Sequence, residues 1–293
     1  MPRNLMLVVN PFSGRGLSKS AIGTIVSQLC SNDCIVTVYF AGERTPEQIV
    51  CDFAKHFELV VCVGGDGTFS SVVSGLLNSG ASVPIGYIPA GTANDIAATL
   101  ALSMDPAVAA QAILHGKPRP LDIGRFSERY FTYIAAFGAF TATAYTTPQN
   151  AKRAFGHLAY MFGGLAEMSA IRPRHTTIEY DGNVAEGDFI FGGVLNSTSV
   201  AGFVRLDPGL VDLADGVFEV ILVKQPIVLA DLLDILAGVT RQTYDGENVQ
   251  VLHASKVTFR FAESVAWTVD GEDGGMHEEV EIMNCHQAIN IVV

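Results

Sequence analysis

Apolar runs at Leu5–Val9, Ile35–Phe40, Leu59–Val63 and Ile85–Ile88 dominate the first third of the chain. They are short and strongly apolar, so they read as strands buried on both faces. Helix signals lie between them. Thr45-Pro46-Glu47-Gln48 is a capping box with proline at the first helical position. Asp105-Pro106 opens another helix, which should stop near Gly116. Strands and helices that alternate in this way fold as a parallel sheet with helices on both faces. In such a sheet the carboxyl ends of the strands share one edge, and ligands bind there.

Three of these strands run into polar loops punctuated by glycine or proline: NPFSG at 10–14, GGDGT at 64–68 and PAGTAND at 89–95. On one sheet edge they make a single site. Glycine lets backbone N–H groups approach a phosphate without side-chain interference. Consecutive N–H groups at a helix start bind anions. Gly64, Gly65, Gly67 and Thr68 are therefore candidates to cradle nucleotide phosphates. Asp66 would repel a bare phosphate, so it belongs near Mg²⁺, on the ribose or in a water network. The alternative is a cap in a tight strand–helix turn. Asn10 is suited to bond the nucleotide or the neighbouring loop. Ser13 and Gly14 can present a hydroxyl and an N–H to a phosphate, and Pro11 and Phe12 complete that loop. Gly91, Thr92, Asn94 and Asp95 occupy a further strand-to-helix junction, where capping by Thr92 or Asn94 is the competing explanation. GRGLSKS lacks the glycine that a Walker A loop places before its lysine, and no third glycine completes GxGxxG after Gly14 and Gly16.

After about Asp122 the pattern changes. Thr176–Tyr180, Phe189–Asn196, Val217–Val223, Val257–Phe261, Val265–Val269 and Val280–Met283 read as strands, with turns at Asp181-Gly182 and Asp215-Gly216. This half is expected to be an antiparallel β-sandwich. Helical segments are expected at about 155–169, with Phe155, Leu158, Phe162 and Leu165 on one face, and at about 227–238. Late in the chain a strand ends in Asp270-Gly271-Glu272. This is an ordinary hairpin turn, or a place from which a carboxylate faces the nucleotide loops as a general base.

Composition narrows the class. The chain has 293 residues, enough for two domains, and 49% of them are hydrophobic. A net charge of −12 argues against nucleic-acid binding. The five cysteines form no CxxC and read as reduced and structural, as in a cytoplasmic protein. The apolar run before Asn10 is too short for a signal peptide, and no window reaches the ~18 apolar residues of a membrane span. His56, His115, His157 and His277 are scattered, without paired-ligand spacing, and no GxSxG elbow occurs.

NPFSG, GGDGT, PAGTAND, LVDLADG at 210–216 and VDGE at 269–272 run in this order across the whole chain. Together they resemble the diacylglycerol kinase catalytic-domain superfamily, in its bacterial soluble lipid kinase branch. GGDGT alone is shared with NAD kinases and, loosely, phosphofructokinases. The combination with GTAND and the late DGE is specific to the lipid kinases. The resemblance implies an N-terminal α/β domain similar to phosphofructokinase and NAD kinase, over residues 1–122. A C-terminal antiparallel β-sandwich would span 123–285 and bind lipid. Residues 286–293 would return to the first domain, which suits the apolar run Ala288–Val293.

By position, the resemblance assigns ATP contacts to Asn10, Pro11, Phe12, Ser13 and Gly14, to Gly65–Thr68, and to Thr92. It places Asp66 and Asp95 in an acidic network around Mg²⁺. It gives Asp215 a structural Mg²⁺, with carbonyls of Asp212 and Val217, and makes Glu272 the proton acceptor beside Asp270. Oxygen ligands of this kind suit a hard divalent ion. The chain departs from the family where Phe69, Ser70 and Ser71 follow GGDGT, and where Gly42 replaces a usual threonine. Diacylglycerol is the family's main acceptor in many bacteria, and other hydroxylated lipids serve relatives. Relatives also form homodimers. Lys152, Arg153, Arg172 and Arg174 flank the 155–169 helix against a single acid, Glu167, so that segment either docks transiently on a membrane or is an ordinary packed helix. Rival readings are a kinase for NAD or a sugar phosphate, and a nucleotide- or lipid-binding regulator without catalysis.

Overall fold

Strands in the computed structural model follow the apolar runs closely at the N-terminal end. The structure describes residues 3–14, 18–30, 33–138, 172–200, 204–206, 211–228, 230–231, 235 and 246–293. The elements of the first half are β1 (Arg3–Val9), α1 (Lys19–Cys30), β2 (Cys34–Phe40), α2 (Pro46–Phe53), β3 (Leu59–Gly64), α3 (Asp66–Ser79), β4 (Ile85–Pro89), α4 (Asp95–Thr99), α5 (Pro106–His115) and β5 (Pro118–Phe126). β2, β1, β3 and β4 pair in that order, each pair parallel. Successive residues of β1 point to opposite sides, as strand geometry requires. Leu5, Leu7 and Val9 join Ile25 of α1 and Ile113 of α5 in one core. Met6 and Val8 join Ile49 of α2 and Val72 of α3 in another.

The caps behave as their residues dictate. Thr45 accepts from the Gln48 N–H at 3.2 Å, and the Gln48 side chain accepts from the Thr45 N–H at 3.0 Å. Asp105 accepts from the Ala107 and Val108 amides and starts α5. Helices α2 and α3 lie so close that a Cβ on Gly75 would stand 2.4 Å from the Glu47 carbonyl oxygen.

The second half is built from β6 (Arg129–Phe131), β7 (Ile134–Gly138), β8 (Arg174–Tyr180), β9 (Asn183–Leu195), β10 (Ser199–Val200), β11 (Val204–Arg205), β12 (Phe218–Lys224), β13 (Val249–Ala254), β14 (Lys256–Val269) and β15 (Glu272–Val292). Its pairings are antiparallel. Asp181-Gly182 and Asp270-Gly271 are two-residue turns with φ of 41° and 85°, and of 49° and 77°. Aspartate followed by glycine favours such left-handed pairs, and they match the twist of a hairpin. Trp267 sits against Phe126, Phe137, Phe259 and Phe261, with ring centroids 5.1–6.2 Å apart.

Several strands differ from the sequence reading: the strand expected at Phe189–Asn196 begins at Asn183, and β13 was not expected. Val257–Phe261 and Val265–Val269 are one strand, β14, bent between Arg260 and Val265. The expected strand at Val280–Met283 is the middle of the 21-residue β15. Polar and glycine residues hide these lengths from periodicity: Gly275 at φ 86° and the run 272–279 carry no apolar alternation. The helix expected at 155–169 lies outside the described residues, as does most of that at 227–238.

β15 ties the halves together. It pairs with β14 from Lys256↔Met283 to Val269↔Glu272, then with β5, and meets β4 at Ile291↔Ile85. Its register shifts between Cys285 and Ile289, where Gln287 has φ 49°. The bulge is held by Asp122, which is fully buried and accepts from the Gln287 N–H at 2.6 Å.

Candidate active site

The glycine loop after β3 becomes the first turn of α3. Gly65 precedes that helix in extended backbone and offers no side-chain cap, so no capping side chain takes up the amides at its start. The loop after β1 is braced against it. Asn10 Nδ2 donates to Thr68 Oγ1 at 2.9 Å, Ser13 Oγ lies 3.0 Å from Thr68 Oγ1, and the Gly65 N–H donates to Ser13 Oγ at 3.3 Å. Ser13 and Thr68 are buried. Their hydroxyls knit two loops together, where the sequence reading offered the Ser13 hydroxyl to a phosphate. Asn10 also accepts from the Phe12 N–H at 3.0 Å, which turns the chain and leaves the Phe12 ring 81% exposed at the rim. Gly14 has φ 58°, and a Cβ there would stand 2.5 Å from the Ala90 carbonyl oxygen.

The third loop crosses the second. A Cβ on Gly91 would stand 2.5 Å from Gly65 Cα. Asn94 closes this loop on itself: its Oδ1 accepts from the Gly91 N–H at 2.8 Å and its Nδ2 donates to the Gly91 carbonyl at 3.1 Å. Asn94 takes φ 55°, which asparagine tolerates. Thr92 is exposed at the loop tip, and Asp95 is buried at the start of α4.

Asp66 stands between the loops. Its Oδ1 accepts from the Ile96 N–H at 3.1 Å, and the amides of Asp95 and Asn94 also favour its charged form. Burial is the largest influence and raises its pKa, and the nearby Asp270 adds to the rise. The acid between the glycines thus anchors α4. It is a cap, though of the neighbouring helix and not of its own.

Against α3, the β14–β15 hairpin brings Asp270 and Glu272. Asp270 is buried and accepts from Ser70 Oγ (2.7 Å), the Thr132 N–H (2.7 Å) and hydroxyl (2.9 Å), and the amides of Tyr133 (3.0 Å) and Ile134 (3.2 Å). Burial pushes its carboxyl upward, and these donors oppose that. Glu272 reaches out instead. Its Oε1 lies 3.5 Å from where a Gly67 Cβ would stand, over the first turn of α3. Its Oε2 pairs with Arg129 at 2.6 Å, and Arg129 also donates to the Asp273 carbonyl at 2.9 Å.

The residues assigned to metal lie elsewhere. Asp212 accepts from the Ala214 N–H and Asp215 from the Val217 N–H, both at 3.0 Å, and both aspartates are exposed. This loop is fastened to Asp122, which accepts from the Gly216 N–H at 2.7 Å. Among the described residues, no group of three His, Cys, Asp or Glu side chains is placed to hold a metal. Of the cationic cluster, Arg172 and Arg174 are described, and Arg174 pairs with Glu263 at 3.4 Å; Lys152, Arg153 and the helix between lie outside the described residues.

Ser70, Arg129, Thr132 and Asp122 carry much of this geometry and were not singled out as site residues by the sequence. The signal for Ser70 was present as a departure from the family pattern. The others take part through backbone amides, or as single polar residues within strands, and leave no motif.

Residues 4–126 match the family model described as the diacylglycerol kinase catalytic domain. Residues 136–292 match the YegS C-terminal NAD kinase beta sandwich-like domain. The diacylglycerol kinase of Bacillus subtilis (strain 168) is 30% identical over 296 residues, covering 98% of this chain and 95% of that one. That of Staphylococcus carnosus (strain TM300) is 31% identical over 283 residues, covering 94% and 90%. The crystal structure of a diacylglycerol kinase from Bacillus anthracis str. Sterne shares the fold, with a TM-score of 0.80 at 20% identity over 99% of this chain and 96% of that one. Matched by one domain model in each half and aligned with these relatives almost end to end, the chain belongs to the diacylglycerol kinase catalytic-domain family.

Proposed function

We propose that this chain is an ATP-dependent lipid kinase that transfers the γ-phosphate to a lipid hydroxyl, with diacylglycerol as acceptor and phosphatidic acid as product. Membership of the family supports the activity and the use of ATP. The observation that carries the site assignment is the position of Glu272 over the first turn of α3. A helix start binds phosphate through its outward amides. A carboxylate poised above it is where a general base for an incoming hydroxyl has to be.

In this reading the phosphates of ATP lie on the amides of Gly65–Thr68, beside the NPFSG and PAGTAND loops. Asn10, Ser13, Thr68 and Asp66 already hold these loops together. The lipid hydroxyl comes from the side of the β-rich half. Glu272 takes its proton as the oxygen attacks the γ-phosphorus in line, the bond to the β,γ-bridging oxygen breaks and ADP leaves. The amides at the start of α3 offset charge on the transferring group. Asp270 holds the turn that carries Glu272. The N-terminal parallel sheet is read as the phosphofructokinase and NAD kinase kind.

Mg²⁺ bound with the nucleotide would screen phosphate charge, with Asp66 and Asp95 as the acids that would hold it. A second ion would sit on the Asp215 carboxylate with carbonyls of Asp212 and Val217. That set is all oxygen, which fits a hard divalent ion. Both aspartates are exposed, so water can complete the shell. The acceptor reaches the enzyme at a membrane surface that a cytoplasmic protein visits peripherally. Among the described residues, no helix is long and apolar enough to cross a membrane.

The test is transfer of labelled phosphate from ATP to a panel of lipids in mixed micelles with Mg²⁺, comparing wild type with Glu272→Gln. Wild type labels diacylglycerol. The variant still binds ATP and turns over roughly 10²–10⁴-fold more slowly, the loss typical of a removed general base. Equal turnover in the variant would remove Glu272 from the mechanism. Labelling of no lipid by wild type would remove the lipid kinase reading.

A further inference from the structure

Asp270 has five hydrogen-bond donors, and four of them come from Thr132, Tyr133 and Ile134, in its own half of the molecule. The fifth is Ser70, 200 residues away in sequence and on α3. Ser70 and Gly67 are three apart on that helix, so they share a face. Asp270 and Glu272 flank Gly271 in one turn. The Ser70 hydroxyl meets Asp270 at 2.7 Å, while Glu272 Oε1 lies beside Gly67 one helical turn earlier. The hairpin therefore meets α3 at two adjacent points, a hydrogen-bonded one and one where no hydrogen bond joins Glu272 to the helix.

We infer that Ser70 is a positioning residue: its bond to Asp270 sets the distance between the Glu272 carboxylate and the amides at the start of α3. The kinetic consequence rests on the kinase reading above. Several features favour a positioning role over a merely structural one. Asp270 keeps four donors when the Ser70 hydroxyl is removed, so the turn stays satisfied and the chain folds. The turn is a tight two-residue one, with φ 49° at Asp270 and 77° at Gly271. A displacement at Asp270 is therefore passed directly to Glu272, two residues on. In-line transfer is sensitive to such displacements, and about 1 Å of misplacement can cost on the order of 10²-fold in rate.

The test compares Ser70→Ala with Ser70→Thr, which keeps the hydroxyl. Diacylglycerol phosphorylation gives kcat and KM for ATP. Amide hydrogen exchange at residues 271–273 reads the hinge of the turn without relying on activity. Ser70→Ala is expected to lose about tenfold to 10²-fold in kcat with KM for ATP unchanged, and to speed exchange at 271–273. Ser70→Thr should restore both. Wild-type kcat and exchange in Ser70→Ala would overturn the proposal. So would a loss of activity that Ser70→Thr fails to restore, or one that follows the melting temperature. If wild type phosphorylates no lipid, the kinase reading fails by itself. Exchange at 271–273 then decides the positioning role alone: faster in Ser70→Ala supports it, unchanged overturns it.

Discussion

At the scale of the residue, Arg129 and Glu272 have the most to explain. Their ion pair is 2.6 Å long, with side chains 42% and 64% exposed. A pair so exposed contributes about 0–1 kcal/mol to stability. Its geometry matters more than its energy. Arg129 donates to Glu272 Oε2 and to the Asp273 carbonyl together, so it holds the carboxylate at a fixed angle to the start of β15. Arg129→Met should leave the melting curve nearly unchanged and lower turnover about tenfold, near the low end for misaimed groups. Arg129→Lys should recover only part of the loss, because an ammonium lacks the planar fork that reaches two oxygens at once. Steady-state kinetics beside thermal denaturation checks this, and unchanged turnover in Arg129→Met would leave the pair without a role. The residue scale is also where sequence reading reaches least far. Gly65, Asp66 and Thr68 announce themselves because only certain residues serve at a tight strand-to-helix turn. Ser70 and Ser71 looked like losses against the family pattern. In the structure Ser70 donates to Asp270, and Ser71 Oγ accepts from the Glu47 N–H at 3.0 Å, fastening α3 to α2.

At the scale of the element, the site is the crossing of loops, and the crossing depends on missing side chains. Gly91 and Gly65 touch through their α-carbons. Gly91→Ala would put a Cβ 2.5 Å from Gly65 Cα and 2.7 Å from Asn94 Oδ1. Backbone cannot yield as a flexible side chain can, so the GGDGT loop must shift. ATP affinity should fall by about tenfold or more, the scale of 1.4 kcal/mol. Calorimetric titration of ATP with Mg²⁺ reads this directly, and wild-type affinity would show that the loops meet phosphate elsewhere. The elements themselves were legible where burial is two-sided. β1, β3 and β4 are apolar nearly throughout, and their ends were read to within about two residues, the usual uncertainty of element ends. β14 and β15 were read as fragments because one face of each is open. Arg260 pairs there with Glu179 and Glu279, and Lys256 with Glu281 across the strands. Such charged ladders look like loop to a search for apolar alternation.

At the scale of the whole molecule, β15 runs through both halves. Val280 and Ile282 belong to the core around Trp267. Ile289 and Ile291 belong to the core that α2 and α3 cover, and Val292 to that on the other face of the same sheet. The strand changes partners at the Gln287 bulge, and Asp122 holds it there through the Gln287 amide, the Asn284 side chain and the Gly216 amide. Motion of one half against the other must therefore bend this strand or break its pairing. Ile291 is 1% exposed and pairs with Ile85 of β4 and Arg119 of β5. Ile291→Ala should cost about 2–5 kcal/mol, as large-to-small core changes do. That is a large share of the roughly 5–15 kcal/mol that stabilises a typical protein. The single tryptophan, Trp267, reports the other half. If β15 couples the halves, urea unfolding followed by Trp267 fluorescence and by far-ultraviolet circular dichroism coincides in wild type. Both midpoints then fall together in Ile291→Ala. A dichroism midpoint that falls while the Trp267 midpoint stays would show the halves unfolding separately, and β15 would then be a tether between two folding units.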